Sequence, residues 1–160
     1  MVKVSGSGVE AAPSGTEQSP DTYVGFQLAE RFSSPERVAR DKVRIYSPPE
    51  TPSLNQWGFS GARSGVLQAA PGKIVFRFHS RDLHLVLGPA QNRELVRFRV
   101  KLDGATPGDD CEADCTPDGI GQVRKYRLYQ LIRQKGPVRD RIFEIEFLDP
   151  CFQAFVFTFG

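Results

Sequence analysis

From Ile74 onward the hydrophobic residues of this chain fall at every second position. Ile74, Phe76 and Phe78 alternate with Val75, Arg77 and His79, and Leu83, Leu85 and Leu87 alternate with His84 and Val86. Val96, Phe98, Val100 and Leu102 alternate with Arg97, Arg99 and Lys101, and Phe143, Ile145 and Phe147 with Glu144 and Glu146. Phe155, Phe157 and Phe159 alternate with Ala154, Val156 and Thr158. Successive side chains of a strand point to opposite faces, so each run predicts a strand with one buried face. Turn pairs punctuate the runs at Pro71-Gly72, Gly88-Pro89, Asp103-Gly104 and Asp149-Pro150. Further strands are predicted around Gln56 to Phe59 and Arg127 to Arg133, with a short one at Val66 to Ala70. Tyr23, Val24, Phe26 and Leu28 give a first strand interrupted by Gly25. The stretch from Ala29 to Arg44 reads as a helical turn or a loop, and Pro48, Pro49 and Pro52 exclude regular structure up to about Leu54. About eight short strands with turns between them describe an all-β sandwich or barrel. The run from Phe155 to Gly160 is so apolar that it belongs in the middle of a sheet, because an exposed edge of that kind would aggregate.

Composition adds boundaries to this pattern. Residues 1–20 are small and polar and cannot bury enough apolar surface to offset their ordering entropy, so they read as a tail or interdomain linker. Residues 21–160 then form one domain of ordinary size. Phe outnumbers Tyr and Trp, 12 against 4 and 1, and the phenylalanines occupy the alternating positions. With 21 Lys+Arg against 19 Asp+Glu the net charge is +2, too small to imply nucleic-acid binding. No apolar run approaches the roughly 20 residues that span a bilayer, so this chain is not expected to insert into a membrane. Met1 to Gly8 lack the apolar centre of a signal peptide.

Candidate chemistry is sparse. The two histidines, His79 and His84, fall in no hydrolase motif, and Gly-x-Ser-x-Gly is absent. Cys111, Cys115 and Cys151 form no Cys-x-x-Cys. Cys111 and Cys115 suit a small-loop disulfide, one of them pairing with Cys151 is an alternative, and free thiols are a third reading. Asp109, Asp110, Glu112, Asp114 and Asp118 crowd one loop, but without the spacing of an EF-hand. They are expected to be a solvated acidic loop, and no metal is assigned. Arg97, Arg99 and Lys101 form a cationic row on one strand face, expected to be neutralised by Glu144 and Glu146 across a strand pair. Trp57, the single tryptophan, stands beside Asn55 and Gln56, a combination that suits a sugar ring stacked on indole and hydrogen-bonded by amides.

Several blocks, taken in order, resemble one family: SPDTYVGF from Ser19, LNQWGFSG from Leu54, IVFRFHSRDLHLVLGP from Ile74 and VRFRVKLDG from Val96. They continue with RLYQLIRQ from Arg127, FEIEFLDP from Phe143 and FVFTFG from Phe155. The set resembles the C-terminal domain of DipZ-type thiol-disulfide exchange proteins, bacterial redoxins linked to cytochrome c biogenesis. The resemblance covers Ser19 to Gly160. It implies a jelly-roll β-sandwich similar to carbohydrate-binding modules (galactose-binding-like), attached after a thioredoxin-fold domain that carries the redox Cys-x-x-Cys. GVEAA at Gly8 to Ala12 resembles the linker leading out of that domain. Two departures stand out. Cysteines occupy the neighbourhood of Cys111 to Asp118, where the family pattern has a His-Gly, and no second Trp follows Ser60-Gly61.

The resulting expectation is a non-catalytic accessory domain, without cofactor, of an extracytoplasmic (periplasmic or cell-envelope) parent protein. It would bind a glycan or cell-wall ligand and so position the parent's thioredoxin domain, its partner in cis. The candidate ligand-binding residues are Trp57 as stacking platform, Asn55, Arg81 and Arg133 as hydrogen-bond donors, and His79 and Tyr129 as lining. The alternative is a protein-interaction module that docks the parent's redox domain or its disulfide-bearing substrate, which predicts an exposed apolar patch. A third reading is direct thiol chemistry at Cys111 and Cys115.

Overall fold

Alternating strands need a second apolar surface to face, and the chain supplies one by folding into two antiparallel sheets packed as a sandwich. The computed structural model describes residues 19–24, 44–46, 52–64, 66–67, 72–89, 95–149 and 152–160, with side chains for all of these except 44–46, 59–64 and 66–67. Its strands are β1 (Thr22–Tyr23), β2 (Arg44–Tyr46), β3 (Trp57–Ser64), β4 (Val66–Leu67), β5 (Gly72–His79) and β6 (Asp82–Pro89). They continue as β7 (Val96–Leu102), β8 (Ile120–Val123), β9 (Arg127–Arg133), β10 (Asp140–Phe147) and β11 (Phe152–Phe159). The described residues hold no helix beyond the 3-10 turn Gly108–Asp110.

One sheet runs β8-β7-β10-β5-β3, and the other carries β9-β6-β11, with β1 and β4 sharing the second edge of β11. Strand β3 belongs to both. Its first half, Trp57 to Ser60, pairs with Phe76 to Lys73 of β5, whereas Gly61 to Ser64 pair with β2 and β4. The last strand lies between neighbours on both sides, as its apolar run requires.

Phenylalanines fill the gap between the sheets. Phe76 of β5 lies 4.8 Å from Phe157 and 5.4 Å from Phe159 of β11, measured between ring centroids. Phe143 of β10 meets Phe157 edge-on at 5.9 Å, and Phe147 stacks on Phe152 at 3.4 Å. Leu83, Leu85 and Leu87 of β6 complete the layer. Two bulges adjust the register. One, between Leu83 and His84, leaves Leu131 of β9 without an opposite number, and the other, between Ala154 and Val156, does the same for Phe155.

The sequence pattern anticipates β5, β6, β7, β9, β10 and β11 closely, and Glu146 and Glu144 do face Arg99 and Lys101 across the β10–β7 pair. It does not anticipate β2 or β8. Gly121 explains the second omission: a side chain there would collide with the Phe98 ring, so β8 has no room for a regular apolar alternation. Phe26 and Leu28, most of Ala29 to Arg44, and Cys151 lie outside the described residues.

The buried rings set a stability expectation. Phe157→Ala should lower the unfolding free energy by about 3–5 kcal/mol, while the exposed Gln122→Ala should change it by less than about 0.5 kcal/mol. Urea denaturation of the two variants checks this.

Candidate functional site

The strand registers scatter the expected ligand-binding residues. Trp57 opens β3 opposite Phe76 and is 0% exposed within the core. This corrects the expectation of an indole platform: its inward register, not its amide neighbours, decides its place. Asn55 occupies the turn just before β3 with φ 65°, a left-handed conformation that Asn tolerates better than most residues. Its backbone N–H donates to Arg77 O at 2.7 Å, and its Oδ1 is buried without a hydrogen-bond partner among the described residues.

Tyr129 is also buried, and its hydroxyl is a strut. It donates to Lys125 O at 2.8 Å and accepts from the N–H groups of Arg124 (3.3 Å) and Lys125 (3.4 Å), fixing the turn between β8 and β9. Its ring lies beneath the Arg127 guanidinium, 3.8 Å from the ring centroid. His79, on the outward face of β5, holds Asp140 through Nδ1 at 2.7 Å, and Arg77 reaches the same carboxylate at 3.3 Å. His79 therefore lies on the outer side of one sheet, Asn55 sits in the turn before β3 with its Oδ1 buried, and Trp57 and Tyr129 face inward.

Arg81 and Arg133 do come together, on the other sheet, around Asp82, a residue outside the expected set. Asp82 is fully buried. Arg81 grips its carboxylate through Nε at 3.1 Å and Nη2 at 2.8 Å, and Arg133 Nε binds it at 2.9 Å and Glu112 at 3.2 Å. Burial alone would raise the Asp82 pKa, but the hydrogen bonds and charges of the two arginines outweigh it and hold the carboxyl below its ordinary range. The arginines are thus engaged in holding a buried charge, and their side chains retain little exposure.

His84, two residues along β6, is 2% exposed. Its Nδ1 lies 3.4 Å from Thr158 Oγ1, and its Nε2 has no hydrogen-bond partner among the described residues. Burial is the largest influence on it and pushes its pKa down, with Asp82 and Glu112 opposing and Arg133 and Arg81 assisting. Among the described residues no third group orients the imidazole of the His84–Thr158 pair, and both nitrogens lie in a buried site. Among the described residues no cluster of three or more His, Cys, Asp or Glu side chains fits a metal ion. The acidic loop instead spends its carboxylates separately: Asp110 on the Lys135 N–H and Arg141, Glu112 on Arg133, and Asp114 on Arg127 and the Gln130 N–H.

A family model for the thioredoxin-like C-terminal domain matches residues 19–160. The chain belongs to that family. No curated protein matches it. Within this thioredoxin-like C-terminal domain, the more open features lie where the edge strands β8 and β9 meet. A shallow depression there is lined by Gln122, Arg124, Lys125, Arg127 and Tyr129. The same turn carries Tyr126, 66% exposed, whose ring meets Phe155 edge-on at 4.9 Å and covers Gly88. Alongside, Tyr23, Val156, Val86 and Leu128 lie opposite one another in register across β1, β11, β6 and β9, forming an apolar row on the outer face.

The buried histidine gives the domain a pH dependence. The unfolded chain takes up a proton at His84 near pH ~6.5 that the folded chain resists, so stability falls as pH drops below that value. Urea midpoints should decline between about pH 7.5 and about pH 5.5, and His84→Gln should flatten that decline. Asp82 acts in a separate, lower window: its contribution is complete above about pH 3.9, the unfolded value, and is lost as pH falls through its depressed folded value.

Proposed function

We propose that this chain is a non-catalytic accessory domain of an extracytoplasmic bacterial thiol-disulfide exchange protein of DipZ type, and that it binds an acidic glycan or cell-wall ligand at the β8–β9 turn. The observation that carries the reading is the exposed Tyr126 ring on the turn whose Gln122, Arg124, Lys125 and Arg127 line the depression. An exposed aromatic face takes the apolar side of a sugar ring, and guanidinium and ammonium groups take its carboxylates and hydroxyls. In this reading Tyr126 replaces Trp57 as the platform, and Lys125, Arg124 and Gln122 replace Asn55, Arg81 and Arg133 as donors. The likeness to jelly-roll carbohydrate-binding modules, implied by the sequence, belongs to the same proposal.

The competing reading is a docking module for the parent's thioredoxin domain, favoured by the apolar row of Tyr23, Val156, Val86 and Leu128. NMR titration separates the two. An oligosaccharide of uronic acids should shift the amides of Gln122 to Leu128, and Tyr126→Ala with Lys125→Ala should weaken binding by at least about tenfold. Shifts confined to Tyr23, Val86 and Val156 on adding a thioredoxin domain, with none from acidic or neutral sugars, would replace glycan binding by docking.

A further inference from the structure

The segment Cys111 to Asp114 works as an added strand on β9, which is the edge of its sheet. Cys111 bridges Ile132, the Glu112 N–H donates to Leu131 O at 3.0 Å, and the Asp114 N–H donates to Gln130 O at 3.0 Å. The Asp114 carboxylate returns a bond, accepting from the Gln130 N–H at 2.7 Å, and grips Arg127 at 2.8 and 3.0 Å. A disulfide between Cys111 and Cys115, Cα atoms 5.9 Å apart, closes this segment into a small ring. Both cysteines are half-buried rather than sealed in the core. Each sulfur also lies 3.3 Å from a carbonyl oxygen, Glu112 O for Cys111 and Leu131 O for Cys115, so a thiol at either position has an acceptor at hand.

We propose that Cys111–Cys115 is a redox site of this domain, reduced by a dithiol of the Cys-x-x-Cys class, and that its state controls how firmly Asp114 holds β9 and Arg127. The thiolate of the dithiol attacks Cys111 Sγ, because Cys115 packs against the core. The Cys111–Cys115 bond breaks, and Cys115 leaves as a thiolate that takes up a proton. The second thiol of the reductant then attacks the mixed disulfide, and Cys111 leaves and is protonated in turn. Two electrons and two protons reach the domain, and the dithiol becomes a disulfide. A ring with a sequence separation of only 4 restricts the unfolded chain little, so the sandwich persists after reduction while the ring opens. Opening frees the Gln130 N–H from Asp114 and releases Arg127 toward the depression that it lines. Only this last consequence for ligand affinity rests on the proposed glycan reading.

The test treats the chain with millimolar dithiothreitol under native conditions. Alkylation of Cys111 and Cys115 is read by peptide mass, and amide exchange at Gln130 by NMR. Both cysteines should become alkylated with the rest of the spectrum largely retained, and Gln130 exchange should rise by about tenfold. Asp114→Ala, which keeps the disulfide and removes the acceptor, should raise Gln130 exchange likewise, and Cys111→Ser with Cys115→Ser should match the reduced chain. Cysteines that stay unmodified until global unfolding, or reduction that leaves Gln130 exchange unchanged, would overturn the proposal. Faster exchange without any change in uronic-acid binding would count against the glycan reading alone.

Discussion

The constraint on which the rest of the molecule depends is the thickness of the aromatic layer between the sheets. Facing sheets settle about 10 Å apart, and Phe side chains from β5, β10 and β11 reach across that distance to touch. Among the described residues the inward positions are thereby committed, including Trp57 and Tyr129, whose rings would otherwise be natural ligand platforms. Side chains open to solvent are left to the outer faces and to the side where β8 and β9 meet.

Charge is distributed by the same rule. A carboxylate as enclosed as Asp82 is costly unless paired, and the fold meets that cost with two arginines, one beside it in sequence and one from the neighbouring strand. On the opposite sheet Arg99 and Lys101 of β7 face Glu146 and Glu144 of β10 in register, and Lys73 of β5 reaches Glu144 at 3.7 Å. The β8–β9 turn differs. Tyr129 O–H holds its backbone in place while Lys125, among the described residues, has no carboxylate partner. That leaves an ordered turn with an uncommitted charge and an exposed ring beside it.

Much of this architecture is legible in the sequence because burial on one face forces a period of two. Strands β5, β6, β7, β10 and β11 announce themselves in this way, whereas β9, with Tyr129 to Ile132 all buried, is marked by its apolar residues without the alternation. Strand β8 does not, since Gly121 yields its place to the Phe98 ring. The candidate site was far less legible. Neighbours in sequence made Trp57 look like a platform, but exposure is a property of register, and only the pairing with Phe76 turns it inward. Asp82 is hard to read from sequence because its second arginine, Arg133, lies 51 residues away and meets it through the β6–β9 pair. An acidic residue at the mouth of a strand as apolar as Asp82–Pro89 was the available signal. Tyr126 had none, because nothing local distinguishes an exposed aromatic from a buried one.

Strands β1 and β11 carry a mechanical consequence. The Ser19 N–H donates to His79 O at 2.8 Å, and Gly160 O accepts from Ser80 Oγ at 2.8 Å and from the Asp82 N–H at 3.1 Å, so both converge on the turn between β5 and β6. Polypeptide joined at Ser19 and at Gly160 would therefore leave from the same corner. Tension between those two points would load the antiparallel β1–β11 pair from one end. The pair would unzip bond by bond at low force instead of resisting as a sheared block.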